Sequence, residues 1–289
     1  MPTPMKNKNS KQNFKTKNHM DNDVSDNYTN IVPIRSLSQF TINNAVMIAG
    51  FPGPGMIGSI VCTQLIEQLE MHQIAYVQSR YIMPGALWIG GRLRHPFRIY
   101  CNANKSVCVL TCDVPVFASA IDSISTTITN WCRKNKIEKL VALSGIYPEH
   151  IQPFPKDFTK RTSFIIEDAS RLNNGIDKHR KINANQVPFF AFIGGLPGQI
   201  LTNCQAQFID CMAVLIPTLS FTPDPEGAAI VIDTLGDLIP NTKINSSQLR
   251  QEAEIIKRQL SELAKLQYRL LRDNRTDGEI RDEAEQIYK

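Results

Sequence analysis

Short apolar runs alternate with helix-period segments along most of this chain, and no other feature restricts its fold as much. Apolar runs at 45–49, 74–78, 106–112, 140–144, 189–193 and 212–216 read as strands. The segments 59–70, 117–134, 197–209 and 225–238 read as helices. Strand, helix and strand in succession build βαβ units, which demand a mostly parallel sheet covered on both faces. The expected fold is therefore α/β, a three-layer αβα arrangement around a mostly parallel central sheet. A two-stranded piece is expected around 86–100. The polar region 145–185, with Pro148, Pro153 and Pro155, reads as loop-rich. One junction occurs twice: Gly50-Phe51-Pro52-Gly53 and Gly195-Leu196-Pro197-Gly198 each stand between a strand and a helix. Glycine supplies the sharp turn and proline suits the first helical turn. Two such junctions predict two crossovers in one sheet.

Composition bounds the class. Hydrophobic residues are 42% and charged residues 20% of 289, as in soluble globular proteins. The longest apolar runs, such as 187–193, are too short to span a bilayer, and the N-terminus lacks an apolar signal core. A cytoplasmic protein without a membrane partner is expected. The net charge of +5 is unevenly placed, with Lys6, Lys8, Lys11, Lys15 and Lys17 near the start. Residues 1–30 carry too little apolar surface to offset ordering entropy and read as a disordered polar segment. They show no interleaved aromatic pattern and no recognisable binding motif, so a nucleic-acid partner is not expected. The seven cysteines form no Cys-x-x-Cys pair. Cys108 and Cys112 share one face of an apolar strand and read as buried free thiols. The five histidines show no ligand spacing, so no metal is expected.

Beyond the α/β region the pattern changes. Leu249, Ala253, Ile256, Leu260, Leu263 and Leu270 recur three, four or seven residues apart, which marks 241–272 as an amphipathic helix. Asn245 is its candidate N-cap, with Gln248 three residues on. Its stripe suits either its own domain or self-association. Residues 273–289 read as a charged, flexible tail with Gly278, ending in Ile287-Tyr288-Lys289. An apolar side chain, a phenol and a terminal carboxylate can together enter a slot and pair with a lysine there. Taken alone, the same ending also fits a frayed terminus.

Catalytic signals are weak. Gly53, Gly55 and Gly58 match Gly-x-Gly-x-x-Gly between a strand and a helix. The acidic residue that should hold a ribose is missing: the second strand ends Val77-Gln78-Ser79. Pro54 also removes one amide from the loop. Glycines placed for close helix–strand packing are the better reading, and Gly53→Ala is expected to crowd that junction. Ser144-Gly145 follows a strand without a nucleophile elbow. Asp113, Asp224 and Glu226 lie at strand or loop ends, and Asp224, between two prolines, reads first as a helix N-cap. No nucleophile, base and orienter are required to converge, so no reaction, cofactor or catalytic residue is assigned.

The run Gly50-Phe51-Pro52-Gly53-x-Gly55-x-x-Gly58-Ser59 resembles the opening motif of the second type of proteasome assembly chaperone family. The resemblance continues at Gly194-Gly195-Leu196-Pro197-Gly198 and is most specific at Pro223-Asp224-Pro225-Glu226-Gly227-Ala228-Ala229. It spans about residues 40–270. It implies an αβα domain over 31–240 without established catalysis, and a homo-oligomer, with a tetramer expected. Archaeal members resembling this chain end in a hydrophobic-tyrosine-x motif that docks between α-subunits of the proteasome core particle. Carried over, Ile287 is the hydrophobic position, Tyr288 the gate-acting tyrosine and Lys289 the residue bearing the carboxylate. The resemblance thus implies an assembly factor or ATP-independent activator and not an enzyme. Two alternatives stay open: a nucleotide-binding, ATP-dependent ligase-like enzyme using the turn from Gly50 to Gly58, and an oligomeric scaffold with an inert tail.

Overall fold

The structure, a computed structural model, describes residues 29–34, 41–42, 44–167, 187–219, 221–239, 244–247 and the single positions 250, 251, 262 and 265. The expectations for residues 1–28, for most of the helix 241–272 and for the tail 273–289 fall outside the described residues. Of that helix, Ser247, Arg250, Gln251, Glu262 and Lys265 have helical backbone.

The elements follow the chain as β1 (Thr29–Pro33), β2 (Val46–Gly50), α1 (Ile57–Gln68), β3 (His72–Ser79), β4 (Leu87–Ile89), β5 (Arg92–Arg94), β6 (Phe97–Cys101) and β7 (Val107–Cys112). Then come α2 (Ile121–Lys134), β8 (Lys139–Ile146), β9 (Ile151–Gln152), β10 (Phe164–Glu167), β11 (Phe190–Ala191), α3 (Gly195–Ala206), β12 (Asp210–Pro217) and α4 (Pro225–Leu238). Eight strands form one sheet in the order β1-β3-β6-β7-β2-β8-β12-β10.

The four central strands β7, β2, β8 and β12 run parallel. Their near-continuous burial, complete in the Val-Cys-Val-Leu-Thr-Cys run of β7, is what a strand covered on both faces requires. The flanks are antiparallel: β6 pairs with β7, β3 with β6, β1 with β3, and β10 with β12. The large sheet is therefore mixed, parallel where helices cover it and antiparallel toward its edges.

Alternate strand residues feed two cores. Met47, Ala49, Cys108, Leu110, Leu140 and Ala142 face Ile124 and Ile128 of α2 and Ile200 of α3. Ile48, Val107, Val109, Val141 and Val214 face Ile57, Ile60 and Leu65 of α1 and Val231 and Leu235 of α4. The three layers expected from the alternation are thus α2 and α3, sheet, α1 and α4. Helix α2 shows the cause locally. Ile124, Ile128 and Cys132 recur every fourth residue on its buried face, Asp122 lies in its first turn, and Arg133 and Lys134 lie in its last, where the helix dipole favours them.

Three expectations are revised. The region 145–185 does contain strands: β10 joins the main sheet at its edge, and β9 pairs with β11. The run 189–193 forms only the two-residue β11, outside the main sheet, so the second Gly-Leu-Pro-Gly junction follows a peripheral strand. And β1 begins at Thr29, inside the segment read as polar lead-in, where Ile31 packs against the core.

Candidate functional site

Strands β3, β7, β2, β8 and β12 point the same way, so their C-terminal ends share one edge of the sheet. Ligands of open α/β sheets bind at such an edge, where adjacent strands send their connections in opposite directions. Here those strands are β2, which leads through α1 to β3, and β8, which leads toward β12. The turn that matched the dinucleotide fingerprint stands in that crevice.

The turn fills the crevice with its own backbone. A Cβ on Gly145, at the end of β8, would lie 2.1 Å from the Pro54 carbonyl oxygen. A Cβ on Gly50 would lie 2.4 Å from the Gly58 oxygen, and one on Gly58 would lie 2.6 Å from the Phe51 nitrogen. These three glycines let strand, turn and helix touch. Gly55, with φ of 65°, and Met56, with φ of 53°, complete the reversal into α1. The Met56 N–H is taken by the Gly53 carbonyl at 2.8 Å. Gly53 corrects the sequence expectation: its φ is −179°, which any residue adopts, and a Cβ there would meet nothing closer than 4.0 Å. The strand that follows the turn and α1, β3, is separated from β2 by β6 and β7, and its C-terminal end pairs with β1. The acidic partner missing from Val77-Gln78-Ser79 would therefore not adjoin the turn in any case.

Asp224 is tied to this turn. Its N–H donates to the Gly55 carbonyl at 2.9 Å, and its Oδ1 accepts from the Gly227 N–H at 2.9 Å, making it the N-cap of α4 as expected. Arg161, which no sequence motif singles out, completes the arrangement. Its guanidinium donates to Asp224 Oδ1 at 2.6 Å and to the Pro217 carbonyl at 2.8 Å, and lies 4.2 Å from the centre of the Phe158 ring. Both side chains are largely buried, at 6% and 17% exposure. Asp224→Ala removes a cap and strands a buried guanidinium, so it is expected to cost about 3 kcal/mol. Glu226→Ala breaks an exposed pair with Arg250 at 2.7 Å and is expected to cost about 0.5 kcal/mol. Urea unfolding of the two variants measures the contrast.

The other candidate carboxylate, Asp113, follows β7 and pairs with buried Arg98 at 2.5 Å. Burial raises its pKa, and Arg98 only partly opposes that. Ser144 lines a small cleft of about 60 Å³ bounded by Phe51, Pro52, Pro54, Val114, Leu196 and Pro197. The two Gly-x-Pro-Gly junctions thus face each other across one apolar cleft, with room for a few waters but not for a nucleotide. Asp113, Asp224, Glu226 and Ser144 are not brought together: Asp113 and Asp224 serve separate ion pairs. Among the described residues no cluster of His, Cys, Asp and Glu is placed to hold a metal, and no helix is long and apolar enough to cross a membrane.

The same edge carries exposed apolar side chains. Trp88, Ile89 and Leu93 project from the β4–β5 hairpin, which links β3 to β6 there. Phe190 lies in β11 with Val187, Phe189 and Phe192 beside it, and Leu219 and Phe221 follow β12. Of ten exposed large hydrophobics among the described residues, only Phe208 lies at the opposite edge. Such clustering marks an interaction surface. Sequence reading missed it, because Trp88, Ile89, Leu93, Phe189, Phe190 and Phe192 fell in segments read as strands. Ile287, Tyr288 and Lys289 lie outside the described residues.

A mixed sheet between helix pairs, with its switch-point crevice closed by glycine packing and its edge apolar, defines a binding protein's scaffold more readily than a catalytic pocket. The chain belongs to the PAC2 family, whose model matches residues 47–264. It is similar to a protein of unknown function from Thermoplasma acidophilum, with 30% identity, a TM-score of 0.69, and coverage of 84% of this chain and 94% of that one. It is also similar to PbaA of Pyrococcus furiosus, an archaeal homolog of proteasome-assembly chaperone, at 25% identity and TM-score 0.68, covering 83% and 98%. PbaB of the same organism, an archaeal proteasome activator, shares the fold at 14% identity and TM-score 0.59, covering 82% and 99%. The family resemblance drawn from the three motifs therefore holds.

Proposed function

We propose that this protein is a proteasome-binding assembly factor or ATP-independent activator that engages the α-ring of the core particle through Ile287, Tyr288 and Lys289. The observation that carries the reading is its membership of the PAC2 family and its similarity over 83% of its length to PbaA, combined with the hydrophobic-tyrosine-x ending. The filled crevice at Gly145 supports it further, since the edge where an α/β enzyme would bind substrate offers packed backbone and exposed apolar side chains. The protein works as a cytoplasmic homo-oligomer, a tetramer, whose several tails reach neighbouring pockets on a ring. One short tail binds weakly, and linked tails gain avidity when their spacing fits.

Purified core particle, mixed with the full chain and with a chain lacking residues 287–289, tests this directly. Co-migration on a sizing column and faster peptide hydrolysis are expected only with the full chain. Equal binding by both would remove the tail from the function.

A further inference from the structure

Cys101 and Cys108 stand directly opposite each other in the β6–β7 pairing, with their Sγ atoms 3.2 Å apart. The Asn102 N–H donates to the Val107 carbonyl at 3.1 Å, so the neighbouring pair is the hydrogen-bonded one and the cysteines occupy a non-hydrogen-bonded pair. In such a pair the Cα atoms approach to about 4.5 Å, at the short end of the range of roughly 4.4–6.8 Å that a disulfide spans. A bridge can form there without moving either strand.

We propose that Cys101 and Cys108 are an oxidisable pair that closes to a cross-strand disulfide when hydrogen peroxide reaches the β6–β7 turn. Cys101 is the last residue of β6, next to a turn in which Ala103, Asn104 and Ser106 are exposed. Brief opening of the end of this hairpin admits a molecule as small as peroxide. The Cys101 sulfur attacks one peroxide oxygen: an S–O bond forms, the O–O bond breaks, and the departing hydroxide takes the thiol proton as water. The Cys108 sulfur then attacks the sulfenic sulfur: the S–S bond forms, the S–O bond breaks, and the Cys108 proton leaves with the hydroxide as a second water. Two thiols lose two electrons and one peroxide gains them.

The hydrogen bond from Cys108 lowers the Cys101 pKa, with burial opposing, so Cys101 is the natural first attacker. Burial pushes Cys112 and Cys132 up to about 12 and raises Cys62 as well. Cys211 is half-buried and pairs with Leu140 of β8, and its thiol donates to the Leu201 carbonyl at 3.8 Å.

The folded full chain is treated with hydrogen peroxide, alkylated and digested with trypsin. Trypsin cuts after Lys105, so the bridge joins peptides 99–105 and 106–133 into one species two hydrogens lighter than their sum. Thiols counted after denaturation fall from seven to five. In Cys108→Ser the linked species disappears and Cys101 stops as a sulfenic acid that dimedone traps. Dithiothreitol restores seven thiols to the unaltered chain without denaturant. Thiol loss at Cys211 alone would overturn the proposal, and so would a linked species that appears only after unfolding in urea.

Discussion

Tyr288→Ala is expected to lose nearly all binding to the proteasome core particle and all stimulation of peptide hydrolysis, while the protein stays folded. The side chain combines a large flat apolar face with a hydroxyl, and tyrosine at the centre of an interface commonly costs about 2 kcal/mol or more on truncation. At one site that is roughly a thirtyfold loss. Where several tails act together the losses compound, because each weakened tail also lowers the benefit of its neighbours. Tyr288→Phe keeps the face and loses only the hydroxyl, so its effect is smaller. Lys289→Ala leaves the carboxylate and is near neutral. One residue added after Lys289 displaces the carboxylate and is damaging. Sizing-column co-migration ranks the four variants. Undiminished binding by Tyr288→Ala would reject the tail as the contact.

The layers of the fold were legible because burial on both faces leaves a direct trace. A strand such as Val107–Cys112, buried throughout, has no room for polar alternation, and 106–112 read as an apolar strand from sequence alone. Helix α4 likewise carried its own start: Asp224 caps it and Pro225 opens it, and its bounds came out as read. The edges were harder. Phe164–Glu167 is four residues long and is a strand only because β12 supplies a ladder across from it. The run 189–193 has the apolar content of a core strand, yet Phe189 is 92% exposed. Side-chain chemistry does not say which apolar segment finds a partner.

The same limit applied at the site. The glycines at 50, 55 and 58 announced a tight junction, but whether they cradle a phosphate or admit a backbone depends on what faces them. That neighbour is Gly145, ninety residues from the turn's Gly55 and without a motif of its own. Arg161 was equally silent. A lone arginine in a polar stretch reads as solvated, and only the fold places it against Asp224.

Gly145 therefore gives the sharper test of what the turn is for. Gly145→Ala places a carbon 2.1 Å from the Pro54 oxygen, 2.8 Å from the Pro54 carbonyl carbon and 3.0 Å from Thr218 Cγ2. The first two are backbone atoms and cannot rotate away. Relief requires the turn to back out of the crevice, and the Asp224 N–H that holds Gly55 resists that movement. Overpacking of this kind costs about 3 kcal/mol. In a chain of this size that lowers the melting temperature by roughly 6–12 °C. Gly53→Ala, in the same turn but with nothing closer than 4.0 Å to the added carbon, should melt within a degree or so of the unaltered protein. A phosphate-cradling turn predicts a different pattern. Its glycines would be needed for close approach of a ligand, so Gly53→Ala would leave the melting temperature alone and abolish the shift caused by added nucleotide. Thermal melts of both variants, with and without ATP, separate the two. A large drop for Gly145→Ala alone, with no response to ATP in any chain, is the result that backbone packing demands.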